Sequence, residues 1–208
     1  MNKKRRSQAA LVVIILCFVL TMAVNGFAFD KERKGFILGF GLGPGFSSYS
    51  QSIDSVSVGI DSEDLSKVAL LTNFKIGYAP TNQIMVYWMS KVNWFGREDT
   101  VQTTTSTREE TITAANGVGG LGITYFFRPK APSLYLTAGG GFAVRSEPFR
   151  GTDSWMSLGL AGAIGWEFKP NWGLELSAIW GEPTHEDAPY EYQANFLGVG
   201  LSINVLGY

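Results

Sequence analysis

What most constrains this chain is a period-two alternation of large apolar residues with small ones, repeated eight times between Gly35 and Val205. Successive side chains of a strand point to opposite faces, so each such run reads as a strand with one bulky face and one slim face. In residues 35–43, Phe36, Leu38, Phe40 and Leu42 share one face, and Ile37, Gly39, Gly41 and Gly43 share the other. The pattern recurs at 68–78, 84–94, 118–127, 134–144, 156–168, 172–180 and 195–205, giving eight strands. No later stretch is apolar enough over the ~20 residues a spanning helix needs.

The slim face decides what the strands surround. In a soluble sandwich the face turned to water is rich in Lys, Glu and Thr. Here it is mostly Gly, Ala and Ser, which suits the narrow interior of an eight-stranded barrel. The connections alternate in length. Residues 79–82, 128–133 and 169–171 are short turns carrying Pro and Asn, whereas 47–67, 96–111, 146–154 and 181–193 are longer and polar. Short turns at one end and long loops at the other are the pattern of an outer-membrane barrel, with turns periplasmic and loops outside. Aromatic residues gather at both rims: Tyr78, Phe127, Trp166, Phe168, Trp172 and Tyr208 by the turns, and Phe46, Trp94, Phe142 and Trp180 by the loops. Two such girdles match the two headgroup layers of a bilayer. The fold class expected is therefore all-β: an eight-stranded antiparallel up-and-down transmembrane β-barrel after a cleaved signal peptide.

The first 28 residues read as that signal. Lys3, Lys4, Arg5 and Arg6 precede an uncharged apolar run over 9–24, and Gly26-Phe27-Ala28 offers small residues for cleavage after Ala28, with Gly26 as the near alternative. This divides the chain into a 1–28 signal peptide and a 29–208 barrel domain. Cys17, the only cysteine, leaves with the signal, and Leu16 before it does not suit lipoprotein processing. The 17 basic residues lose these four, leaving 13 against 18 acidic ones and a formal net charge of −5. That balance excludes a basic nucleic-acid footprint.

The segments Gly35-Phe36-Ile37-Leu38-Gly39-Phe40-Gly41-Leu42-Gly43 and Gly165-Trp166-Glu167-Phe168-Lys169-Pro170-Asn171-Trp172-Gly173-Leu174-Glu175-Leu176 resemble the small outer-membrane barrels of the OmpA/OmpX type. The resemblance spans the barrel region and rests on pattern and turn style, so it implies a fold more than a function. It also implies outer-membrane lipid and lipopolysaccharide as surroundings. The last strand is similar to the C-terminal signal read by the barrel-assembly machinery, with Leu201, Ile203 and Val205 alternating before a terminal aromatic. Tyr208 departs from that signal, because it follows Gly207 and breaks the alternation from Val205. No peptidoglycan-binding segment follows the barrel in the sequence.

Candidate chemical motifs lose force in context. Gly117-Val118-Gly119-Gly120-Leu121-Gly122 fits G-x-G-x-x-G but lies within a strand rather than between a strand and a helix. His185-Glu186-Asp187, around the sole histidine, sits in a polar loop, and Asp61-Ser62-Glu63-Asp64 offers only carboxylate oxygens to a hard cation. Small outer-membrane barrels that modify lipid A use a histidine with a serine and a carboxylate, and no serine adjoins His185 in sequence. No cofactor or metal is implied, and the expectation is a non-enzymatic barrel with a structural or surface-interaction role, an unidentified extracellular ligand and a plugged lumen. A small-solute pore is the alternative. The plug would be a polar network of Asn73, Lys75, Lys91, Asn93, Arg145, Glu167 and Glu175 on the inward phase, with Lys75 reaching Glu175 or Glu167 across the barrel.

Overall fold

A computed structural model describes residues 32–54, 60–61, 65–103, 106–149, 154–187 and 190–208. The expected signal segment lies outside the described residues, as do Ser62–Asp64 of the acidic cluster. Ten strands form: β1 (Gly35–Asp54), β2 (Ile60–Asp61), β3 (Leu65–Ala79), β4 (Ile84–Thr103), β5 (Ser106–Phe126), β6 (Ser133–Ser146), β7 (Trp155–Lys169), β8 (Trp172–Gly181), β9 (Thr184–Asp187) and β10 (Tyr190–Gly207). Eight of them are long, each pairs antiparallel with its neighbour, and β1 pairs with β10 to close the sheet. No helix occurs among the described residues.

The register fixes the barrel's geometry. Starting at Leu38, the paired residues run through Ile76, Trp88, Leu121, Gly140, Leu160, Trp180 and Leu197 and return to β1 at Ser48, ten residues further along. With a rise of ~3.3 Å per residue and strands ~4.8 Å apart, that stagger tilts the strands by about 40°. The exposed apolar face of β1 runs from Phe36 to Phe46. Ten residues at that tilt cover about 25 Å along the axis, the height of the apolar band on an outer-membrane barrel.

The phase read from sequence holds along β1, β3, β6, β7, β8 and β10, and β4 and β5 follow the same alternation. Phe36, Leu70, Trp88, Leu121, Leu136, Leu160, Leu176 and Leu201 face outward and are exposed, while Ile37, Leu71, Tyr87, Val118, Tyr135, Ala161, Ile179 and Ser202 are buried inside. The short turns also stand where Pro and Asn placed them. In the β3–β4 turn the Thr81 hydroxyl accepts from the amides of Gln83 (3.3 Å) and Ile84 (3.1 Å). Asn171 in the β7–β8 turn has φ = 70°, a left-handed conformation that Asn tolerates.

The long connections differ from expectation. Residues 96–111 are mostly a β-hairpin rather than a loop, since β4 and β5 stay paired from Gly96↔Thr113 out to Thr103↔Ser106. Likewise β1 and β10 stay paired up to Asp54↔Glu191, and β9 continues β8 in the same register beyond Glu182 and Pro183. In these extensions β-branched and polar residues carry the ladder without the alternation of large apolar and small residues that marks the band.

Candidate functional site

The slim inner face leaves room for a few long polar side chains, and these meet at one carboxylate. Glu175 on β8 is fully buried and receives the Lys75 ammonium (2.7 Å), the Tyr135 hydroxyl (3.1 Å), the Asn73 amide (3.1 Å) and the Lys91 ammonium. Lys91 belongs to β4, four strands from β8 in either direction, so its bond to Glu175 spans the full width of the barrel. Asn73 also donates to Asn204 Oδ1 (2.9 Å), and Asn204 donates to the Ser202 hydroxyl (3.0 Å), tying β3 to β10. A carboxylate with four donors offsets much of the desolvation that burial of an ion pair costs.

Glycines make the space for this layer. A side chain at Gly165 would overlap the ring of Tyr135, and one at Gly41 would overlap the amide of Asn204. Both residues are small so that an inward neighbour can cross the lumen, which is why aromatic and glycine positions pair on the inner face.

A second layer closes the turn end. Arg33, from the segment ahead of β1, is buried and donates to Glu167 on β7 through Nε (2.9 Å) and Nη2. Its Nη1 donates to the carbonyls of Asn82 (2.9 Å) and Arg128 (2.7 Å) in two turns, and its guanidinium lies 4.0 Å from the Phe126 ring centroid. The Tyr208 hydroxyl donates to the other oxygen of Glu167 at 2.6 Å. Between the two layers lies a cavity of about 30 Å³, lined in part by Lys75, Thr124, Tyr135, Glu167 and Asn171, with room for water on the scale of one or two molecules.

All seven sequence-selected network residues are buried, but they form three groups rather than one. Asn73, Lys75, Lys91 and Glu175 meet at mid-barrel. Glu167 serves Arg33 instead of Lys75. Asn93 and Arg145 stand nearer the loops; Asn93 donates to the Phe46 carbonyl (3.4 Å), and Arg145 lies over the Tyr49 ring at 4.2 Å. Arg33 and Tyr135 are the functional side chains that the sequence reading passed over. The parity of Ile37 runs back through Gly35 to Arg33, so the inward phase of Arg33 was available.

Of the ten aromatic residues assigned to the rims, Phe46, Tyr78, Phe127, Phe142, Trp166, Phe168, Trp172 and Trp180 are exposed on the outer face. Trp94 is half-buried there, its indole donating to the Thr72 hydroxyl at 2.9 Å. Tyr208 is a correction. It shares the even phase of Asn204 and Leu206 and is buried at the turn end, not on the outer face. Among the described residues no group of three or more His, Cys, Asp or Glu side chains is placed to hold a metal ion. The backbone of His185 pairs with Tyr192, and its side chain lies outside the described residues.

This is the fold of the small eight-stranded outer-membrane barrels of the OmpA/OmpX type. Among solved structures the chain is similar to the outer membrane protein OprG from Pseudomonas aeruginosa, with 12% identity, a TM-score of 0.50, and 86% of this chain and 99% of that one covered. It is also similar to Neisserial surface protein A (16% identity, 81% and 96% covered, TM-score 0.44) and to Ail of Yersinia pestis (15% identity, 81% and 99% covered, TM-score 0.36). No protein-family model matches the chain, and no curated protein sequence matches it. At these identities the likeness defines the fold alone.

Proposed function

We propose that this protein is a non-enzymatic outer-membrane barrel with a closed lumen, whose role is structural or lies in the surface its hairpins present outside the cell. The observation that carries this reading is the Lys91–Glu175 bond across the full width of the barrel, reinforced by Lys75, Tyr135 and Asn73. A small-solute pore would need continuous polar space, and the mid-barrel layer and the Arg33–Glu167 layer both stand in its path. An eight-stranded barrel has an interior just wide enough for side chains to fill, whereas aqueous channels need many more strands. The outward apolar band and the aromatic rims support outer-membrane lipid as the surroundings, with lipopolysaccharide at the loop side and the barrel-assembly machinery reading β10.

Liposomes carrying the purified protein are expected to swell in isosmotic arabinose no faster than protein-free liposomes. Swelling at the rate of a general porin would refute the closed lumen. The orientation has its own test. Phe149 lies in the β6–β7 connection and is 81% exposed, and Lys130 lies exposed in the β5–β6 turn. On intact cells a Phe149→Cys variant is expected to react with an impermeant maleimide and a Lys130→Cys variant to stay unlabelled until the cells are lysed. The reverse result would invert the barrel.

A further inference from the structure

The two halves of the interior differ in how completely their polar atoms are satisfied. Among the described residues, seven buried side-chain nitrogen and oxygen atoms lack a hydrogen-bond partner, and six of them lie on the loop side of Lys91. These belong to Tyr49, Asn93, Arg97, Asn116 and Arg145, which contributes both Nη atoms.

Arg145 is the centre of that cluster. It is 5% exposed, and its guanidinium lies 4.2 Å from the Tyr49 ring centroid and 5.9 Å from that of Trp155. Stacking engages the face of the guanidinium, but its N–H bonds lie in the plane, so the rings leave those donors unmet. Charge balance points the same way. Among the described residues four buried cations, Arg33, Lys75, Lys91 and Arg145, share the interior with two buried carboxylates, Glu167 and Glu175. Both carboxylates are committed to the other three cations. Among the described residues Glu147 is the carboxylate that acts on Arg145, and it is shared with Arg97, to which it pairs at 2.8 Å without bonding the Arg145 Nη atoms. A buried guanidinium whose in-plane N–H groups meet no acceptor is costly unless a ligand supplies one.

We propose that Arg145 anchors an oxyanion-binding site in the loop-side half of the barrel, taking a carboxylate or phosphate group of a ligand that approaches from outside the cell. Nη1 and Nη2 form a fork matched to two oxygens of one such group, and the Tyr49 hydroxyl is a further donor beside it. The turn side offers no path, because the Glu175 and Arg33 layers intervene. The site goes beyond the closed-lumen reading, and its binding is measured in micelles, where conductance plays no part.

The test is calorimetric titration of the folded protein in non-ionic detergent with inorganic phosphate and, separately, acetate, in buffer free of other oxyanions. The wild type is expected to bind at least one of them saturably, with Arg145→Gln weakening that binding by about tenfold or more and Lys130→Ala leaving it unchanged. Binding of phosphate alone assigns the site to phosphate groups, and binding of acetate alone assigns it to carboxylates. Should Arg145→Gln fold poorly, the Arg145 side-chain nitrogen resonance of the wild type, assigned with Arg145→Lys, is expected to shift during the titration. Absence of saturable binding of both anions by the wild type, equal binding by folded Arg145→Gln, or an Arg145 resonance that does not move would overturn the site.

Discussion

Replacing Glu175 with Gln is expected to lower the barrel's unfolding free energy by about 3–5 kcal/mol, the range for removing one partner of a buried ion pair. The cost arises because two ammonium groups, Lys75 and Lys91, depend on that single carboxylate. With the charge gone they face each other across a low-dielectric interior without a counterion. Urea unfolding in lipid bilayers, followed by tryptophan fluorescence, measures the loss. Adding Lys91→Met to Glu175→Gln removes one orphaned cation and is expected to recover part of it. A Glu175→Gln barrel within about 0.5 kcal/mol of wild type, the ordinary scatter of surface substitutions, would mean that the mid-barrel layer is not an ion-pair network.

The outer face predicts a dependence on depth that no soluble barrel would show. Leu160 is 61% exposed in the middle of the β7 band, and Val68 is 71% exposed at the loop-side rim of β3. In water, replacing either exposed residue with Arg would be nearly neutral. In a bilayer, Leu160→Arg is expected to cost about 2–4 kcal/mol and Val68→Arg about 0–1 kcal/mol, because the hydrocarbon midplane excludes the charge and the rim does not. The same unfolding assay reads both variants. Equal effects at the two positions would remove the argument for a lipid-facing band.

The eight strands were legible because both faces of each carry a signal within the band. Leu158, Leu160 and Ile164 must be apolar toward lipid, and Gly159, Ala161 and Gly165 must be small toward the lumen, so period two survives along the whole segment. Beyond the band that pressure disappears. Thr100, Gln102 and Thr107 stand in a run of polar residues, and nothing in its alternation distinguishes a paired hairpin from a loop.

The site was legible in its membership and only partly in its pairing. Parity placed Lys75, Lys91 and Glu175 inside, and the Lys75–Glu175 bridge follows from their opposite charges and similar depth. Which carboxylate each cation meets depends on the ten-residue stagger of the barrel, a global quantity that no single segment records. Glu167 accordingly went to Arg33, a residue from outside the strands whose burial depends on how two turns fold over the open end. Tyr208 shows the same limit. Its aromatic character pointed to the lipid rim, whereas its even phase with Asn204 carries it inward to Glu167.

Single-channel recording of purified wild-type protein in planar lipid bilayers tests the closed lumen most directly. A quiet trace at voltages that leave the bilayer intact is predicted for the wild type, with conductance steps emerging only when Glu175→Gln or Lys75→Met breaks the mid-barrel layer. Large, stable steps from the wild type itself would contradict it.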